Sequence, residues 1–272
     1  MRRLTCLFAL MPAIAFAEPC AFSAPRDFDV DAAGIQTLVL ALESDDIDIE
    51  GVAGLERIEV RAKACASSED RLPDLIVDQQ RTGKDFAITS RARPSEFRLF
   101  GSSYAYIDFT LRVPERMVVG IRGSSGDAKV RKVAALDFET TSGDLVADAI
   151  AGSIGVRTSS GDVHGRGSGS VEIRSTASGD IKLADVRGDV KVARSGSGDL
   201  RFADVGGHVD IGSVGSGDVS LQRVTGNVLV GAIGSGDVEA VDIGGALAVR
   251  SSGSGDVTHR DVRGKVSVPD DE

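Results

Sequence analysis

The tripeptide Ser-Gly-Asp occurs eight times between Ser125 and Asp256. Successive aspartates lie 17, 18, 18, 19, 19, 19 and 19 residues apart, and they are Asp127, Asp144, Asp162, Asp180, Asp199, Asp218, Asp237 and Asp256. A unit of this length cannot bury a hydrophobic face by itself, so successive copies must stack and share one core. The repeat therefore predicts a solenoid.

The residues around each aspartate follow a strand pattern. An aliphatic residue comes directly after the aspartate and usually again two positions later, as in Ile181 and Leu183, with a polar residue between. Period two with one apolar face indicates a half-buried β-strand. A second pair such as Val190 and Val192 follows in most repeats, after a recurrent glycine. That glycine indicates a corner that needs a positive φ or a close backbone approach.

Two strands and two corners per repeat, without helical periodicity, predict parallel strands stacked about 4.8 Å apart. We therefore expect an all-β parallel β-helix (β-solenoid) with about eight regular coils of 17–19 residues. The inward positions fall at steps of five, six and eight, which disfavours a left-handed hexapeptide helix and favours right-handed coiling.

The third repeat departs from the others. Gly165, Gly167 and Ser168 stand where other repeats carry core residues. This coil has two interpretations, a tolerated irregularity or a binding notch.

Residues 1–17 are typical of a secretory signal peptide. Arg2 and Arg3 precede an apolar run, and Ala15-Phe16-Ala17 matches a small-x-small cleavage pattern. The run is too short to span a membrane, and no later stretch approaches the roughly 20 apolar residues required. We expect an exported protein, periplasmic or extracellular, with no integral membrane segment.

Two cysteines, Cys20 and Cys65, remain after signal removal. In an oxidising compartment they predict one disulfide, worth roughly 4 kcal/mol in the chain-entropy model, and a free catalytic thiol is the alternative. Without residues 1–17 the net charge falls from −10 to −12. Such a surface repels nucleic acid, so we expect no nucleic-acid partner, and we expect a monomer.

Residues 18–123 carry strand chemistry without the strict repeat, and we expect an N-terminal β cap with degenerate first coils there, followed by regular repeats over 124–272. The segment 44–49 looks like a decayed first copy. Terminal solenoid units are atypical because they cover an open hydrophobic end. The alternative is an exposed recognition patch, formed by Arg91, Arg93, Arg98, Tyr104 and Tyr106.

The aspartate column also has two interpretations. Neighbouring carboxylates 4.8 Å apart repel by about 0.9 kcal/mol even in bulk water, so something must offset the repulsion. In the structural interpretation each carboxylate accepts hydrogen bonds from backbone N–H groups of its own turn. In the metal interpretation Ca²⁺ bridges neighbouring carboxylates, and the candidates are Asp180, Asp199, Asp218, Asp237 and Asp256.

No residue stands out as catalytic. A catalytic site is a single constellation, whereas this carboxylate recurs in every coil. His164, His208 and His259 occupy three different registers of the repeat. We therefore expect neither a cofactor nor a catalytic group.

The repeat Ser-Gly-Asp-aliphatic-x-aliphatic, followed by Val-x-Gly-x-Val-x-Val and preceded by Leu111-Arg112-Val113-Pro114, resembles the putative-adhesin family of bacterial β-strand-repeat proteins. That family is a domain of unknown function akin to the head GIN domain of autotransporter adhesins. The resemblance runs from about Leu38 to Val268 and implies the fold, but it supplies no catalytic residues.

The sequence favours an exported, non-enzymatic β-solenoid that acts as a structural, adhesive or ligand-binding module for a protein or glycan of unknown identity. The alternatives are a polysaccharide-acting β-helix enzyme and a calcium-responsive envelope protein.

Overall fold

The computed structural model describes residues 20–92 and 104–269. Within these ranges the chain forms β-strands joined by short corners, with one 3₁₀ turn at Glu69–Asp74. The expected signal peptide, residues 1–17, lies outside the described residues. The all-β prediction is confirmed.

The strands, numbered in chain order, form two sheets that enclose one hydrophobic core. Sheet A comprises β1 (Phe22–Pro25), β2 (Phe28–Asp31), β4 (Ile47–Val52), β5 (Arg57–Ala66), β8 (Ala105–Pro114), β10 (Ala128–Arg131), β12 (Leu145–Asp148), β14 (Val163–Ser168), β16 (Ile181–Val186), β18 (Leu200–Val205), β20 (Val219–Val224), β22 (Val238–Ile243) and β24 (Val257–Val262). Sheet B comprises β3 (Thr37–Ala41), β6 (Leu75–Thr82), β7 (Asp85–Ala92), β9 (Val118–Arg122), β11 (Ala135–Glu139), β13 (Ile154–Arg157), β15 (Val171–Ser175), β17 (Val190–Ser195), β19 (Val209–Val214), β21 (Val228–Ile233), β23 (Leu247–Ser252) and β25 (Val266–Ser267). From β10 onward the chain alternates between the sheets, so each coil contributes one strand to each.

The regular strands stack in parallel, one coil upon the next. Between β18 and β20, Leu200 pairs with Val219 and Phe202 pairs with Leu221. All four side chains are buried, whereas Arg201, between Leu200 and Phe202, is exposed. The eight sheet A strands from β10 to β24 confirm a β-solenoid of about eight coils, and its right-handed coiling stays a prediction.

Close backbone approach explains the recurrent glycines. A Cβ on Gly198, in a Ser-Gly-Asp corner, would overlap the carbonyl of Gly179 one coil earlier. A Cβ on Gly188, before the second strand, would overlap the Ser170 hydroxyl. The positive φ of each coil lies instead near the end of the sheet A strand, with φ of 68° at Gly167 in the third coil and of 54–57° in the other seven, at Lys132, Ala149, Asp185, Asp204, Arg223, Asp242 and Asp261.

The third repeat keeps its strand despite its small residues. β14 pairs in parallel with both β12 and β16. Gly165 faces inward, and Leu183 of the next coil fills the space, since a Cβ on Gly165 would lie 2.7 Å from Leu183 Cδ2. Ser168 is buried at the other inward position. The coil is therefore continuous with its neighbours.

The N-terminal region inserts one coil out of sequence order. In sheet A, β4 lies between β8 and β10, and in sheet B, β3 lies between β7 and β9. Ile47 pairs with Ala128 and Ile49 with Val130. The segment 44–49 therefore has the register of a first repeat, as expected.

The two ends of the solenoid differ. At the N-terminal end β5 pairs antiparallel with β1, β2 and β8, and β6 pairs antiparallel with β7. The predicted disulfide is confirmed and ties Cys20 to Cys65 in β5, with Cα atoms 5.6 Å apart. At the other end Val257, Val262 and Val266 of the last coil are only half-buried.

Candidate functional site

The aspartate column is a hydrogen-bonded ladder that begins one repeat earlier than the Ser-Gly-Asp motif. The backbone N–H of Asp127 donates to Asp46 Oδ1 at 3.0 Å. Each later aspartate donates its N–H to the Oδ1 of the aspartate one coil before, at 2.8–3.0 Å, through Asp256. The expectation that each carboxylate accepts from its own turn is wrong. The donor belongs to the next coil, so the bonds that offset carboxylate repulsion also join the coils.

The calcium candidates all lie in this ladder. Asp180, Asp199, Asp218 and Asp237 each use Oδ1 to accept the N–H of the next coil. Asp199 Oδ2 also accepts from Arg201 Nη2 at 2.6 Å. Over residues 20–92 and 104–269, no group of three or more His, Cys, Asp or Glu side chains has a metal-binding arrangement. Calcium binding by these residues stays a prediction.

A second ladder, which the sequence analysis missed, lies at the corner before the sheet B strands. The N–H of His208 donates to Asp189 Oδ1 at 2.7 Å, and the N–H of Asn227 donates to His208 Nδ1 at 2.8 Å. The N–H of Ala246 in turn donates to Asn227 Oδ1 at 2.8 Å. In the sequence this ladder is marked by a polar residue between the corner glycine and the first aliphatic residue of each sheet B strand. His208 is thus a member of a ladder and not an isolated histidine.

The proposed recognition patch is divided between the sheets. Tyr106 lies in β8 of sheet A and Tyr104 lies just before that strand, with ring centroids 6.0 Å apart, and the Tyr104 hydroxyl accepts the N–H of Ala21 at 3.0 Å. Burial raises the pKa of the Tyr106 phenol. Arg91 lies in β7 of sheet B and forms an ion pair with Asp78. Arg93 and Arg98 lie outside the described residues. These contacts favour a role in the cap.

A groove of about 610 Å³ lies on the outer face of sheet A, across β10, β12, β14 and β16. Parallel register places the outward residues in two rows. The first row is Lys129, Val146, His164 and Lys182, and the second is Arg131, Asp148, Arg166 and Ala184. The groove passes over the third coil, where the sequence departs from the repeat.

Four cationic side chains and one carboxylate, Asp148, line this groove. Arg131 contacts Asp48 at 3.0 Å, and Arg166 contacts Asp185 at 2.9 Å. The two arginine side chains are 41% and 73% exposed, and exposed pairs of this kind are weak and exchangeable. Within the described ranges the side chains of Lys129 and Lys182 form no ion pair or hydrogen bond.

The floor of the groove is apolar. Val146 lies between Lys129 and His164 in the first row and is 43% exposed, which is high for a large aliphatic side chain. Ala184 and the backbone of Gly165 continue the floor. Cationic walls over a shallow apolar floor are suited to an amphipathic anion.

One carboxyl group outside the groove is buried. Asp45 is 5% exposed and stands at the register of the Ser-Gly-Asp glycine, since Asp46 aligns with Asp127. Its Oδ1 accepts the N–H of Ile107 at 2.8 Å, and its Oδ2 accepts from the Ser90 hydroxyl. Burial raises the pKa of this carboxyl group, and both hydrogen bonds partly oppose the rise. A side chain fits here because the neighbouring β8 runs straight past Ile107 and forms no corner.

No helix within residues 20–92 and 104–269 has the length and hydropathy needed to cross a bilayer.

A family model described as Toastrack DUF4097 matches residues 35–212. Among solved structures, the chain is similar to a "putative cell adhesion protein" from Clostridium sporogenes, with 14% identity, 91% of this chain and 100% of that chain covered, and a TM-score of 0.32. It is also similar to a "putative adhesin" from Bacteroides fragilis, with 12% identity, 92% and 99% coverage, and a TM-score of 0.35. No curated protein matches the chain. Because the family model covers more than half of its length, the chain belongs to the Toastrack DUF4097 family.

Proposed function

We propose that this protein is an exported, non-enzymatic β-solenoid that acts as an adhesive or ligand-binding module, and that its ligand binds in the sheet A groove. The groove itself is the observation that carries the proposal. Its side chains project from strands that are hydrogen-bonded to a neighbour on both sides. Such a surface is preorganised, so a ligand binds without ordering a loop.

Export is part of the same proposal. A disulfide between Cys20 and Cys65 is typical of an oxidising compartment, and the signal pattern of residues 1–17 agrees with it. We propose cleavage after Ala17, a cap over 18–123, repeats over 124–272, and a monomer in the periplasm or outside the cell. N-terminal sequencing of the exported protein tests the cleavage site, with Glu18 expected as the first residue.

A binding screen tests the module. The mature chain is applied to arrayed glycans and proteins, and saturable binding is expected. Val146→Asp should weaken that binding because it places a carboxylate on the groove floor. Val118→Asp is the matched control, since Val118 is 39% exposed on sheet B. Absence of any saturable ligand, or equal losses in both variants, would contradict a ligand site in the groove.

The enzymatic alternative is tested on the same glycans by release of reducing ends. Asp148 is the carboxylate that lines the groove, so it is the residue a hydrolytic mechanism would need there. We expect binding without turnover. Reproducible turnover that Asp148→Asn abolishes would overturn the non-enzymatic proposal.

A further inference from the structure

We infer that the groove binds an acidic polysaccharide, a chain of uronic acid or sulfated sugars lying along the solenoid axis. This inference rests on the proposed function and names the chemical class of its ligand. It is drawn from the charges, the spacing and the floor of the groove.

The cations are placed for an extended anion. Lys129 and Lys182 end the first row, three coils apart, which is about 14 Å at the usual strand spacing. Arg131 and Arg166 lie two coils apart in the second row, about 10 Å by the same spacing. A single small anion cannot contact all four, whereas a chain with an acidic group on successive sugar units can.

The groove lining holds more cations than carboxylates on an acidic protein, although the ladder aspartates Asp127 and Asp180 stand two residues before Lys129 and Lys182. The whole chain carries a net charge of −10, yet Lys129 and Lys182 have no carboxylate partner among the described residues. Arg131 and Arg166 can exchange their exposed partners, Asp48 and Asp185, for a ligand carboxylate or sulfate. Asp148 is the one acidic group between them, and it can accept hydrogen bonds from sugar hydroxyl groups.

The apolar floor of the groove suits the apolar face of a sugar ring. Pyranose rings carry polar edges and apolar C–H faces. Val146 is exposed between the cations, and the His164 imidazole follows it in the same row. An apolar surface rimmed by a few polar groups is the usual composition of a small-molecule or glycan site.

An acidic peptide fits this groove less well. Extended peptides bind sheets chiefly through main-chain hydrogen bonds to an open edge. The groove lies on the face of sheet A, where β10, β12, β14 and β16 already pair with neighbours on both sides. The groove therefore has no free backbone N–H or C=O groups for a peptide main chain. Its side-chain donors can instead bind the carboxylate and hydroxyl groups of sugars.

The test compares four polymers with the mature full-length chain. Polygalacturonate and dextran sulfate carry carboxylate and sulfate groups on sugars, dextran is the neutral control, and polyglutamate is the acidic peptide control. We expect saturable binding of one or both acidic glycans, weaker in higher salt, and no binding of dextran or polyglutamate.

Matched variants assign the binding to the groove. Lys129→Gln with Lys182→Gln removes two groove cations, and Lys191→Gln with Lys265→Gln removes two exposed lysines elsewhere. Both double variants have the same net charge, and all four side chains are exposed, so the fold should be kept. We expect the groove variant to bind about tenfold more weakly, as lost charge-assisted contacts imply, and the control variant to bind within about twofold of wild type.

Several results would overturn the inference. Equal losses in both variants would mean non-specific charge attraction, and tighter binding of polyglutamate would assign a peptide. Groove-dependent binding of neutral dextran would exclude the acidic class while leaving the proposed ligand module intact. If none of the polymers binds but the array screen finds a groove-dependent ligand, the inference fails and the proposed function stands. If neither experiment finds a ligand, both fail.

Discussion

The two corners of each coil have the same construction, but the residue after the corner glycine is constant at one corner and variable at the other. Before the sheet A strand a glycine is followed by aspartate in all eight repeats, and before the sheet B strand a glycine is followed by a variable residue in seven of them. From the third repeat to the seventh that residue is Ser170, Asp189, His208, Asn227 and Ala246. The N–H of the next coil is accepted by the aspartate side chain at the first corner and by Ser170, Asp189, His208 and Asn227 at the second.

The comparison of the two corners shows which corner residues the fold requires and which are kept in the sequence without being required. The corner requires a glycine and benefits from an acceptor, because an unsatisfied backbone N–H is costly. Serine, carboxylate, imidazole and amide all serve at the second corner. The charge of the aspartate column is therefore not needed for the hydrogen bond itself.

The largest effect is expected at the corner glycine. Gly198→Ala should lower the free energy of unfolding by about 2–3 kcal/mol, because its Cβ would overlap the Gly179 carbonyl. Gly120→Ala is the control, since its Cβ would have no neighbour closer than 3.9 Å. Urea unfolding measures both. A Gly198→Ala protein with the wild-type midpoint would refute the close stacking of the corners.

In the first coil Asp45 occupies the position of the corner glycine, and its buried carboxyl group makes stability depend on pH. The buried Asp45 has a pKa raised chiefly by desolvation, so its stabilising contribution is full below the unfolded pKa and is lost as pH rises through the folded value. Asp45→Asn should therefore be more stable than wild type at neutral pH and about equal to it in strong acid. The amide can still accept from the Ile107 N–H and donate to Ser90.

Thermal unfolding from acid to neutral pH checks this expectation. Asp46→Asn controls for the loss of one charge, because Asp46 is exposed and its Oδ1 is retained in the amide. A neutral-pH loss of stability specific to Asp45→Asn would mean that the ionised carboxylate is required there.

A smaller effect compares the two ladders directly. Asp218→Ala and Asn227→Ala each leave one N–H of the next coil without its acceptor, and each should cost about 1 kcal/mol of unfolding free energy. Asp218→Asn should cost close to nothing, because the amide oxygen still accepts. If Asp218→Asn is as damaging as Asp218→Ala, the carboxylate charge matters and the two corners are not equivalent.

Much of the fold was readable because the repeat converts position in sequence into position in space. Once Val219 and Leu221 are known to share a face, parallel stacking fixes the same face for every coil. The segment 44–49 is recognisable in the sequence as a decayed copy, but the placement of its coil between β8 and β10, out of chain order, is not. Its register with β10 depends on pairing between Ile47 and Ala128, which are separated by the whole cap.

The sites were harder to read, for a related reason. Within one repeat, the sequence is the same whether the N–H that Asp218 accepts belongs to its own turn or to the residue 19 positions later. The sequence therefore did not identify the donor as the Asp237 N–H. The groove emerges only when outward residues are compared down a column. Lys129, His164 and Lys182 then fall in one row, whereas along the chain they are isolated polar residues.

The smallest expected effect concerns calcium and the aspartate corner. We expect the same melting temperature with calcium and with a chelator, because Oδ1 of each aspartate from Asp127 to Asp237 already accepts an N–H. A site with a Kd of about 0.1 mM would add about 1.4 kcal/mol in roughly 1 mM calcium, which thermal unfolding detects. A rise that Asp218→Asn and Asp237→Asn reduce would assign calcium to the ladder. In that case the two corners would differ in function as well as in composition, since the varied second corner has no continuous row of carboxylates.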